Sequence, residues 1–99
     1  MSAGARTPEE LETLLEDAFV LRDIDAVTAL FVDRAVFVAN GSAGEHPPLT
    51  WSVVERFVSE ARRIVQADDF ALLLGERSAG VLHRGADRMW RYTIAVMTG

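Results

Sequence analysis

The sequence predicts an α+β domain, with three helices ahead of a small, mainly antiparallel sheet. Three observations predict it. Two stretches have capping-box spacing and lead into apolar stripes of helical period. A short apolar run, Ala35–Ala39, sits between them with strand alternation. The last third holds three apolar runs separated by turn residues. With 99 residues the chain is read as one domain spanning 1–99, with residues 1–6 expected to be disordered.

The first helix is the clearest. Thr7 can cap, Pro8 suits the first helical position, and Glu10 completes the box. Leu11, Leu14, Leu15, Ala18 and Phe19 then form one apolar face. Asp23 caps a short second helix carrying Ala26, Val27, Leu30 and Phe31, which Asp33-Arg34 ends. Residues Asn40–Gly44 read as a turn or loop, and Pro47-Pro48 excludes regular structure nearby. Thr50 or Ser52 opens the third helix, with Trp51, Val54, Phe57, Val58, Ala61, Ile64 and Val65 as its stripe. Strands follow at Phe70–Leu74, Ala79–Arg84 and Met89–Met97. In the last, Trp90, Tyr92, Ile94 and Val96 alternate against Met89, Arg91, Thr93 and Ala95.

Composition excludes several classes. The net charge is −5, with no strongly basic stretch, so binding of a nucleic-acid backbone is not expected. All ten bases are arginine, and Arg62-Arg63 reads as a solvated pair on helix three. There is no cysteine, hence no disulfide or thiol chemistry. No apolar run approaches the roughly 20 residues of a membrane span, and Met1–Arg6 does not read as a signal peptide. The expectation is a soluble cytoplasmic protein without membrane partner, cofactor or metal. The hydrophobic fraction, 49%, is high for so small a core. The excess needs a lined cavity or a subunit interface, so a homodimer is expected.

Two blocks carry a family resemblance. One is Arg22–Val38: a helix end, a short helix opened by Asp23-Ile24-Asp25, then a strand. The other is Arg84-Gly85-Ala86-Asp87-Arg88-Met89-Trp90-Arg91-Tyr92. It is similar to the Asp-Gly-x-Trp-Arg turn before the final strand of many SnoaL-like proteins, with Arg88 in place of the glycine. The chain resembles a shortened SnoaL-like or ketosteroid-isomerase-like member of the nuclear transport factor 2-like superfamily, over residues 7 to 97. The resemblance implies a curved, cone-like (cystatin-like) sheet wrapped by helices around a pocket, with about one hairpin fewer than usual.

Ketosteroid isomerase, itself a worked case of pKa tuning, uses an aspartate base, a tyrosine and a protonated aspartic acid. Carried over on the two blocks, these positions fall on Ala39, Leu15 and Ala79. None can move a proton. The resemblance therefore implies an apolar pocket walled by Leu15, Phe19, Phe31, Ala39, Phe57 and Val58, with His83 and Tyr92 as its polar groups. His83 shares strand parity with Ala79 and Val81; it is either a general base or a hydrogen-bonded strand-end residue. Tyr92 either contacts ligand or completes the core. His46 reads as solvated, and Asp23 and Asp25 as caps rather than paired catalytic carboxylates. Two histidines without carboxylates at ligand spacing give no metal signature. Two functions follow: a non-catalytic hydrophobic-ligand-binding or dimerisation module, or a proton-transfer enzyme (isomerase, cyclase or dehydratase type) on a small hydrophobic substrate.

Overall fold

Thr7 starts the fold as the sequence requires. In the computed structural model its hydroxyl accepts from the Glu10 amide at 3.1 Å and opens α1, Pro8–Val20. The Glu10 carboxylate reaches back to the Arg6 amide at 3.3 Å. The structure describes residues 4–39, 42–44, 55 and 58–97. Leu11, Leu15, Ala18 and Phe19 form the buried face of α1, while Leu14 lies at its edge. Asp23 caps α2, Ile24–Ala29, accepting from the Ala26 amide at 3.0 Å.

Six strands follow: β1 Phe31–Ala39, β2 Ser42–Gly44, β3 Arg62–Ala67, β4 Phe70–Gly75, β5 Ser78–Arg84 and β6 Trp90–Met97. They form one curved, open sheet in the order β2-β1-β6-β5-β4-β3. Only β1 and β6 run parallel; every other pairing is antiparallel. Leu11, Leu15 and Phe19 from α1 close over Phe37, Leu73, Leu82, Trp90 and Tyr92 of the sheet as one core.

Six expectations are corrected. Strand β1 begins at Phe31, not Ala35, because Phe31 pairs with Tyr92 of β6 and the Tyr92 amide donates to the Leu30 carbonyl at 2.9 Å. Asp33 and Arg34 therefore lie inside a strand rather than ending a helix. Ser42–Gly44 is no plain loop; it pairs with Phe37–Ala39 as an edge strand.

The third helix stops early. Glu55, Val58 and Ser59 are helical, with the Ser59 hydroxyl donating to the Glu55 carbonyl at 2.8 Å. Then the chain turns at Glu60, and Ile64 and Val65 belong to β3. Helical spacing and strand alternation coincide over this short run. Cross-strand pairing with β4, closed by Asp68 at φ 53°, selects the strand. The remainder of the predicted helix, with Thr50, Trp51, Val54 and Phe57, lies outside the described residues, as do His46 and Pro47-Pro48.

The N-terminal segment is also more ordered than expected. From residue 4 onward it is seated: Ala5 is buried and exchanges two backbone hydrogen bonds with Trp90.

The last strand breaks its own alternation. The β5 register shifts between Val81 and Leu82, leaving Thr93 as an extra residue on β6. Trp90 and Tyr92 face the core before the bulge, and Ala95 and Met97 after it. Ile94 and Val96 thereby move to the outer face, away from the side on which strict alternation places them.

Candidate functional site

The inner face carries one polar group at its centre. Tyr92 is 1% exposed, and its ring stacks on Phe31 at 5.0 Å; Phe31 in turn lies 4.2 Å from Phe37. Its hydroxyl is buried and has no hydrogen-bond partner among the described residues. Burial pushes the phenol pKa well above its ordinary value; the Glu12 charge adds to this and Arg62 opposes it. Tyr92 is thus held as a neutral phenol. It can donate a hydrogen bond to an oxygen, and it is a poor base.

Arg62 lies in the same region. As the first residue of β3 it sends a side chain 1% exposed between Glu12, at 3.3 Å, and Glu16. The two glutamates stand one turn apart on α1, so a single guanidinium bridges both. The triad ties the third helix's exit and the edge strand to α1. The sequence reading of Arg62 as a solvated residue is corrected, because the early end of the helix turns it inward. The signal was available: two acids at i, i+4 on the first helix need a counter-charge if their face is half covered.

The residues expected to line a pocket are placed unevenly. Leu15 and Phe19 are fully buried, and Phe31 is nearly so. Val58 is exposed at 37%. The Ala39 side chain and Phe57 lie outside the described residues. His83 is on the opposite face of the sheet from Tyr92, its ring against exposed Phe70 at 4.8 Å. The parity argument slipped by one. On β5 the inward residues are Ser78, Gly80 and Leu82, so Ala79 and Val81 face outward with His83. Ser78, the inward neighbour of Ala79, is engaged by the Glu60 carboxylate at 2.8 Å. Among the described residues no group of three metal-ligating side chains occurs.

The outer face is the larger feature. Register aligns Val65, Leu72, Val81, Ile94 and Val36 in one row across five strands. A second row joins Leu74, Ala79, Val96 and Val38. Val65, Phe70, Leu72, Leu74, Ile94 and Val36 are each between 38% and 56% exposed. At the usual strand spacing a five-strand row is about 19 Å wide. These side chains make a contiguous, half-exposed apolar patch rather than singly scattered surface hydrophobics.

Comparison with known proteins gives the fold. No family model and no curated protein matches the chain. Solved structures do. A putative ketosteroid isomerase from Parabacteroides distasonis superposes with a TM-score of 0.68 at 13% identity, covering 98% of this chain and 94% of that one. A nuclear transport factor 2-like protein with a cystatin-like fold from Novosphingobium aromaticivorans gives 0.62 at 12% identity, covering 90% and 77%. A putative calcium/calmodulin dependent protein kinase II association domain from Xanthomonas campestris gives 0.64 at 13% identity, covering 92% and 84%. The chain shares the fold of these solved structures, with helices on a curved, unclosed sheet.

Proposed function

We propose that this domain is a non-catalytic assembly module, pairing with a second copy of itself through the outer face of its sheet. The apolar rows on that face carry the reading. A standard interface takes roughly 800 Å² per partner, and two adjacent apolar rows across the sheet would supply its hydrophobic centre. A second copy fits because the centre of the patch is purely aliphatic: an isologous contact there needs no complementary charge pattern. Arg63 pairs with Leu74, at the end of a row, and His83 sits beside Phe70, so the polar groups stand at the margin. The stacking of Phe31 on Phe37 and Tyr92, three of the aromatic rings on the inner face, is consistent with the same reading. That one similar structure is described as an association domain is consistent with assembly on this fold.

Sedimentation equilibrium from micromolar upward tests it. The parent is expected to dimerise, and Leu72→Arg, half-exposed within the longest row, to weaken dimerisation at least 100-fold. A parent that stays monomeric at about 100 μM, an affinity too weak for a standard interface, would discard the reading.

A second reading has its own observation. The buried Tyr92 hydroxyl is a donor without a described acceptor, as a proton-transfer enzyme acting on a hydrophobic ketone requires. Enone formation from a β,γ-unsaturated ketosteroid, lost in Tyr92→Phe, would favour it. With Leu15 buried in the core and Ala79 turned outward, no turnover is expected.

A further inference from the structure

The turn that opens β6 holds an arginine in a conformation suited to glycine. Arg88 has φ 66°, in the left-handed region, and its side chain is exposed. Glycine would make the same turn without steric cost. A non-glycine residue kept in such a place points to a use for its side chain.

Three further arginines surround it. Arg6 is distant in sequence, but the Ala5–Trp90 backbone pair pins it beside the turn. Arg84 is held by Asp69, which accepts from its Nε at 2.8 Å and its terminal nitrogen at 2.5 Å. Its guanidinium also lies 5.5 Å over the Trp90 ring. Arg6, Arg84 and Arg88, with Asp87 and Met89, line an open depression of about 410 Å³.

The nearby carboxylates are already engaged. Asp87 accepts from the Met89 amide at 3.0 Å and from both terminal nitrogens of Arg91, at 3.2 and 2.7 Å. Glu10 is turned to the Arg6 backbone amide. Four guanidiniums thus stand among the carboxylates of Glu10, Asp69 and Asp87, and the Asp33 charge also acts on Arg91. Arg6 and Arg88 form no ion pair among the described residues. In a chain of net charge −5, Arg6 and Arg88 are thus two guanidiniums at one depression that no described carboxylate engages as an ion pair.

We propose that this depression is a binding site for the phosphate group of a small molecule. A phosphate dianion offers several acceptor oxygens in different directions. It can be met at once by forked donors arriving from the N-terminal segment, the end of β5 and the turn. A monocarboxylate carries a single charge and presents its acceptor sites in one plane, so it matches three arginines arriving from different directions less well. The pre-fixed Arg84 supplies orientation; Arg6 and Arg88 supply the charge that the fold leaves unspent.

Nuclear magnetic resonance titration of the full chain with inorganic phosphate tests this. Ionic strength is held constant with sodium chloride, and acetate serves as the monoanion control. Saturable shifts at Gly85, Arg88 and the arginine side chains are expected, with a millimolar dissociation constant. Arg88→Gly should keep the fold, since glycine suits the backbone there, and weaken phosphate about tenfold, as expected for one charge-assisted contact. Arg6→Ala should weaken it similarly. The proposal is overturned if shifts stay linear with concentration, if acetate matches phosphate, or if Arg88→Gly binds phosphate as the parent does. It is also overturned if duplex RNA or anionic vesicles bind through these arginines while phosphate alone does not.

Discussion

Tyr92 offers a test with little competing chemistry. It is the only tyrosine, there is no cysteine, and every base is arginine rather than lysine. Between about pH 9 and 11.5 the phenol is therefore the only side chain expected to titrate. Burial is the first cause that raises its pKa above 10.0, and the Glu12 charge the second. The sign follows. Below the unfolded value both states keep the proton and stability does not depend on this group. As pH rises past it, the unfolded chain releases the proton and the folded chain does not. Stability is lost by up to about 1.4 kcal/mol per pH unit, or roughly 2 kcal/mol by pH 11.5. Urea melts at fixed protein concentration, which holds dimerisation constant, should show this fall in the parent and not in Tyr92→Phe. Tyrosinate absorbance should appear only as the chain unfolds. At neutral pH the same variant should be unchanged or about 1 kcal/mol more stable, because it removes a buried hydroxyl lacking a described partner. An equal alkaline fall in Tyr92→Phe, or a folded-state phenol titrating at its ordinary midpoint, would refute the burial argument. A loss of more than about 1 kcal/mol at neutral pH would mean that the hydroxyl has a partner, and would favour the ligand-binding reading.

Other perturbations have defined outcomes. Arg62→Met leaves Glu12 and Glu16 facing each other without their shared cation and should cost about 1–3 kcal/mol in thermal or urea melts, less than a fully buried pair because both glutamates reach solvent. Adding Glu12→Gln and Glu16→Gln to that variant should recover most of the loss; no recovery would mean the arginine acts through packing alone. Gly75→Ala would place a methyl 2.8 Å from both Glu60 Cδ and Ser78 Oγ, displacing the carboxylate that receives the Arg77 amide and the Ser78 hydroxyl. The expected cost is about 1–2 kcal/mol, and it should shrink, to what the Ser78 contact alone imposes, when Glu60 is already alanine. Asp23→Ala should cost about 1 kcal/mol through the lost α2 cap, measured the same way.

How much the sequence revealed depended on the range of the forces involved. The α1 cap, the α2 cap and the apolar face of α1 were legible because their determinants lie within a few residues: Thr7 with Glu10, Asp23 with Ala26, Leu11 with Leu15 and Phe19. The helical and sheet halves, and hence the fold class, followed from the same local periods. What escaped was set by partners far along the chain. Phe31 looks helical from its neighbours, yet Tyr92 makes it a strand residue. Ile64 and Val65 fit a helical stripe until β4 is there to pair with them. A single extra residue, Thr93, cannot be seen in an alternating run, and it moves Ile94 and Val96 to the other face. These long-range decisions also govern function. The helix stopping at Ser59 turns Arg62 inward onto two glutamates, and the bulge at Thr93 adds Ile94 to the outer apolar row. The polar core and the proposed docking face both depend on register, which no short window of sequence contains. The excess hydrophobicity was visible in composition from the start. That part of it lies on the outer face of the sheet emerged only once every strand had found its neighbour.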